Sequence, residues 1–142
     1  MNVTQDQHSP VPTASASAKA ADRLSPAPAG TVQIQGWLGE RMDACIEHRV
    51  MAQSLDAILT PFRERTEHDG SGWRCEYWGK WMTSAVLATR YQPSESHRAV
   101  IDNGVARLRE TQTDDGYIGT YTDETHLGIW DVWGRKYVLL GL

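Results

Sequence analysis

Phenylalanine is nearly absent from this 142-residue chain: one Phe stands against six Trp and five Tyr. Phe fills a core without a polar atom to satisfy, whereas Trp and Tyr carry a polar handle and suit wet binding surfaces. Positive charge is also short. Eighteen acids outweigh fourteen Lys and Arg, for a net charge of -4. Residues 1–30 hold two of each sign, so the deficit sits in residues 31–142. That argues against broad electrostatic binding to nucleic acid or to an anionic membrane surface. No apolar run approaches the roughly 18–20 residues of a membrane span. The segment Met1 to Pro12 lacks the basic start and apolar centre of a secretory signal, which points to the cytoplasm. Cysteine is scarce as well. Cys45 and Cys75 stand alone, with no Cys-x-x-Cys and no Cys/His cluster, so no metal site is expected in this chain. Two buried, reduced thiols are the simplest expectation. A disulfide stays open, because pairing depends on geometry.

Large apolar residues are few before residue 31. Residues 1–30 are rich in Ala, Ser and Pro, with a simple run from Pro12 to Ala18. Such a segment cannot bury enough surface to offset its ordering entropy, so it reads as a disordered tail. Val32 and Ile34 alternate with Gln33 and Gln35, which suggests a short strand or extended lead-in ending at Gly36.

Helical periodicity dominates residues 31–142. Leu38, Met42, Cys45, Ile46, Val50 and Met51 form a one-sided stripe that predicts a helix from Leu38 to about Leu59, stopped by Pro61. The charged segment Phe62–Gly72 reads as a loop. A second helix is expected from Trp73 to Tyr91. A third follows Pro93, capped by Ser94 or Ser96 and buried through Val100, Ile101, Val105 and Leu108. Asp114-Asp115-Gly116 is turn chemistry rather than a carboxylate pair for catalysis. A fourth helix runs from about Trp130 to Leu142. Short links between these helices predict an all-α fold of helix hairpins. The last six residues are apolar and interrupt a helical pattern in mid-course. The expectation is therefore that the chain is the first part of a larger domain, or that a partner covers this end.

One self-similarity carries chemistry. Glu76-Tyr77-Trp78-Gly79-Lys80 is echoed by Asp131-Val132-Trp133-Gly134-Arg135: acid, any residue, Trp, Gly, base. Acid and base four apart share one helix face. A simple helix-start preference explains the acids, through the helix dipole. It does not explain Gly, which is costly in a helix. Gly beside Trp implies that something approaches the backbone closely. A sugar fits: its apolar face stacks on Trp, and its hydroxyls need carboxylates and cations. Five of the six Trp (Trp37 apart) lie at the starts of the second and fourth helices. In a ring of helix hairpins those two helices are alternate, run the same way, and would present both copies to one cavity. Glu76, Trp78, Lys80, Asp131, Trp133 and Arg135 are thus the expected carbohydrate contacts. His48, His68 and His97 read as solvent-facing, His126 precedes the second copy near the rim, and Tyr117 is expected to pack between hairpins.

The segments Trp37–Arg41, Glu76–Trp81, Gln112–Gly119 and Trp130–Tyr137 resemble the catalytic domain of glycoside hydrolase family 127, the β-L-arabinofuranosidase-like proteins. The resemblance covers roughly residues 31–142. It implies an (α/α)6 barrel of six hairpins, of which this chain supplies about two. It also implies hydrolysis of terminal arabinofuranosides with retention. Characterised members use a zinc-bound Cys thiolate as nucleophile and a Glu as acid/base, in motifs far along the family's chain. Nothing here matches those motifs, so no catalytic residue is assigned to this chain, and zinc would belong to the full-length enzyme. Family members often carry His at the positions of Glu76 and Arg135. An acid and a base stand there instead, which leaves the sugar open. The alternative is a free-standing helical module that binds carbohydrate or protein without catalysis.

Overall fold

A computed structural model describes residues 24–68 and 72–142, so most of the expected disordered tail, residues 1–23, lies outside the described residues. The described part is all-α. Helix α1 spans Gly36–Cys45 and runs into a π-helical turn, Ile46–Val50. Helices α2 (Leu55–Glu64), α3 (Cys75–Tyr91), α4 (Glu95–Arg109) and α5 (Ile129–Gly141) follow. Among the described residues none of these helices is long and apolar enough to cross a membrane.

The first predicted helix is two helices. The chain turns at Met51–Ser54, where the Ser54 hydroxyl accepts from the Ala57 N–H at 3.3 Å and starts α2. Pro61 does not stop that helix but lies inside it. Pro61 lacks the N–H that would bond the Ala57 carbonyl, and Ala57 is exposed, so water can take that bond. Burial of Leu55, Ile58, Leu59 and Phe62 against the core outweighs the local cost. Losing the Phe62 ring alone would cost about 3–5 kcal/mol. The helix ends at Arg65, which adopts a left-handed φ of 46°. The predicted loop over Phe62–Gly72 therefore begins three residues late.

The later helices follow the periodicity closely. Glu76 and Arg90 sit at the favourable ends of α3, and Glu95 and Arg109 at those of α4. Ser94 occupies the N-cap of α4, but its hydroxyl pairs with the Ser96 hydroxyl at 2.6 Å rather than capping an N–H. The lead-in before Gly36 is extended and unpaired in a sheet. It is held by the Gly30 N–H on the Arg90 carbonyl (2.8 Å) and the Ile34 N–H on the Tyr91 hydroxyl (3.1 Å).

Helix α3 is the centre of the fold. Its Cys75, Trp78, Trp81, Met82 and Ala85 are buried against α2, against Ile101 and Leu108 of α4, and against Val138 of α5. Trp81 satisfies its indole N–H on the Val50 carbonyl at 2.8 Å. The closest packing is between α3 and α5. A Cβ on Gly79 would lie 1.9 Å from the Tyr137 carbonyl oxygen, and one on Gly134 would lie 2.7 Å from Cys75 Cβ. These contacts ascend together along both helices, so α3 and α5 are parallel. The glycines of the echo are thus explained, and the expectation that a sugar approaches them is replaced: the approaching body is the other helix.

Candidate functional site

The loops before α3 and α5 meet at one end of the parallel pair, and buried polar groups bind them together. Glu67, 3% exposed, accepts from Arg74 Nε (2.6 Å) and from the Thr120 hydroxyl (2.5 Å). Its backbone exchanges bonds with Thr120 and Thr122, forming an isolated bridge to Tyr121. The predicted turn at Asp114–Gly116 is present, with Gly116 at φ 90° and Asp115 accepting from the Thr113 hydroxyl. The following stretch is pinned by Asp131. This fully buried carboxylate accepts from the Tyr117 hydroxyl at 2.8 Å and from the Leu127 N–H at 2.7 Å. Leu127 itself has a left-handed φ of 69°, a conformation that needs such support.

Each acid of the echo has a different task. Glu76 lies on α3, nearly buried, with 9% of its side chain open. Lys80 Nζ donates to Oε1 at 2.6 Å, and Trp133 Nε1 donates to Oε2 at 2.8 Å. Burial alone would raise the Glu76 pKa. The hydrogen bonds from Lys80 and Trp133, with the charges of Lys80 and Lys136, outweigh it and hold the carboxyl below its ordinary value. The Glu76 hydrogen bond pushes the Lys80 pKa up in turn. An ionised carboxylate has about four acceptor positions, of which Lys80 and Trp133 use one each. Lys80 keeps further donors and half of its side chain is exposed.

The indoles also diverge. Trp78 has no exposed surface and lies edge-on to Trp81 in the core, so it presents no face to a ligand here. Its N–H is buried without a hydrogen-bond partner among the described residues. Trp133 is 41% exposed and meets Tyr137 edge-on at 5.5 Å. Lys136 Nζ sits 3.8 Å from the Trp133 ring centre and 4.3 Å from that of Tyr137. Lys80 lies 4.9 Å from the Tyr137 ring. Arg135 turns the other way, over Tyr117 at 5.1 Å.

The structure therefore brings Glu76, Lys80 and Trp133 together and adds Lys136 and Tyr137, which sequence reasoning missed. The signal was present in Lys136-Tyr137 directly after the echo, but the echo's own length concealed it. Trp78 and Asp131 stand inside the fold, and Arg135 stands apart. The cause is register. Echo partners are 55 residues apart, whereas contacting residues across the pair, Cys75 with Gly134 and Gly79 with Val138, are 59 apart. The copies are staggered by one helical turn.

Other single-residue expectations divide. His97 is buried rather than solvent-facing: Nε2 meets Glu47 at 3.0 Å and Nδ1 meets the Gln92 carbonyl at 3.2 Å. His48 and His68 are exposed. His126 stacks against Tyr117 at 4.9 Å, and Tyr117 is buried between the loop and α5. Both cysteines are free, but Cys45 is exposed; only Cys75 matches the expected buried thiol. Burial and the nearby carboxylates push the Cys75 thiol far above the range in which a thiolate forms. No three His, Cys, Asp or Glu side chains converge into a metal site among the described residues.

A family model described as Beta-L-arabinofuranosidase, GH127 catalytic domain, matches residues 28–140. No curated protein and no solved structure matches the chain.

Proposed function

Because this chain belongs to the glycoside hydrolase family 127 catalytic-domain family, we propose that it supplies one wall of a glycosidase's sugar-binding cavity. The observation that carries this reading is the Lys80–Glu76–Trp133 cluster at the shared end of two parallel helices. Its carboxylate accepts hydrogen bonds from sugar hydroxyls, its ammonium donates to hydroxyl oxygens, and the exposed Trp133 ring supplies an apolar face. Arg135 contributes from the neighbouring side, while Trp78 and Asp131 hold the wall in shape. The parallel α3–α5 pair supports placement of residues 31–142 as the first hairpins of an (α/α)6 barrel. The exposed aliphatic strip of Val132, Leu139 and Leu140 on α5, with Leu142 just past its end, is the surface on which further hairpins, or a partner, would pack.

Zinc and a thiolate nucleophile, which the family resemblance implies for the full-length enzyme, do not fit the described residues. Cys75 is buried and protonated, and no ligand set surrounds it. The work of this chain is binding and orientation. A terminal arabinofuranoside is the expected substrate.

The test uses the full-length protein and an aryl β-L-arabinofuranoside. Glu76→Gln removes a charged hydrogen-bond acceptor, so KM should rise about tenfold or more. Unchanged KM with normal folding would exclude the cluster from the sugar site. The aliphatic strip on α5 supports a second reading, a non-catalytic helical module that docks a partner; absence of any glycosidase activity, with a soluble complex formed through α5, would favour it.

A further inference from the structure

We propose that Trp73 and Trp130 extend the site as a second stacking platform, so that the protein grips a saccharide chain rather than one terminal sugar. This rests on the glycosidase reading above. Trp73 lies just before α3 and Trp130 in the first turn of α5, at the end where Glu76 and Trp133 meet. The Trp73 and Trp130 ring centres are 6.1 Å apart, those of Trp130 and Trp133 are 6.3 Å apart, and Tyr137 continues the series at 5.5 Å. The three indoles are 48%, 42% and 41% exposed.

Three features assign this ribbon to a saccharide. First, it is aromatic throughout, unlike the aliphatic strip of Leu139, Leu140 and Leu142 at the C-terminal end of α5, which suits burial against other helices. Second, it is continuous with the polar cluster. Trp133 belongs to both, its N–H bonded to Glu76 and its ring edge-on to Trp130. Third, the Trp73 and Trp130 indole N–H groups hold no hydrogen bond to a described residue, so each can donate to a hydroxyl while its ring stacks. Successive rings are inclined by 54° and 79°, which makes a stepped track rather than a flat plate. A stepped track suits puckered units joined at angles and gives a planar aromatic ligand no continuous face.

The experiment titrates the full-length protein with arabinofuranose and with linear arabino-oligosaccharides of increasing length, reading tryptophan fluorescence. The native Kd should tighten from mono- to trisaccharide. Trp73→Ala and Trp130→Ala should each weaken the trisaccharide by about threefold to tenfold and flatten the length dependence. Trp73→Phe should restore most of it. A native Kd independent of length overturns the proposal, as do variants that weaken mono- and trisaccharide equally, the signature of a folding defect. If the native protein binds none of these sugars, the glycosidase reading falls with it.

Discussion

The Trp133 indole N–H donates to Glu76 Oε2 at 2.8 Å, joining the second copy of the echo to the first across the parallel helix pair. The bond fixes the ring on which a sugar would stack relative to the carboxylate that would accept its hydroxyls. Trp133→Phe keeps the ring and removes the donor. In a double-mutant cycle with Glu76→Gln, the two changes should be non-additive by about 0.5–3 kcal/mol in ligand binding. Additive effects would show that the two residues act on different parts of the ligand.

Glu76 also predicts a pH dependence. Its carboxyl is held below its ordinary value when folded, so its contribution to stability is complete above the unfolded value, about 4.3. That contribution is lost as pH falls from there through the lower folded value. Thermal melts between neutral and acid pH should show the native protein losing more than Glu76→Gln over that window. Parallel curves for the two proteins would contradict the depressed carboxyl.

Gly79→Ala should be severely destabilising although Ala favours helix by about 1 kcal/mol. The new Cβ meets backbone that cannot rotate away, the Tyr137 carbonyl, so α3 and α5 must separate. A loss of about 3 kcal/mol or more is expected. Gly134→Ala meets Cys75 Cβ, an atom equally fixed by its main chain but farther off at 2.7 Å, and should cost less. Denaturant midpoints for the two variants decide the order.

Asp131→Asn tests the divergence of the two acids. Both Asp131 oxygens accept, one from Tyr117 and one from Leu127, so an amide either opposes its N–H to the Leu127 N–H or turns it on the Tyr117 hydroxyl, which then has no acceptor for its own proton. The expected cost is about 1–3 kcal/mol of stability, with faster amide exchange at Leu127. A variant as stable as the native protein but impaired in sugar binding would make Asp131 a ligand contact.

Thiol labelling separates the cysteines. In the native protein an alkylating reagent should modify Cys45 and spare Cys75, which becomes reactive in denaturant. Rapid native labelling of Cys75 would contradict its burial.

Much of this fold was legible in the amino-acid pattern. Helices α3, α4 and α5 carry long apolar stripes and clear punctuation at Pro93 and Asp114–Gly116, and their boundaries fall within a few residues of expectation. The α1–α2 break was not legible, because Ser54 is a weak signal beside Pro61, and only the burial of Phe62 shows which wins. The echo did reveal that something closes on Gly79 and Gly134. It could not reveal what, since a helix and a ligand place the same demand on a glycine. Nor could it separate Trp78 from Trp133, alike in local pattern and opposite in exposure. That difference arises from the one-turn stagger between the helices, which only long-range packing sets.

That stagger has a mechanical consequence. Gly79 and Gly134 act as two notches in a dovetail joint: sliding α5 along α3 by a single position would drive a side chain into a space cut for a hydrogen atom. The register that brings Glu76 beside Trp133 is therefore set by the main chains. As the proposed cavity wall, the pair should behave as a rigid jaw, with any closure around a ligand left to whatever faces it.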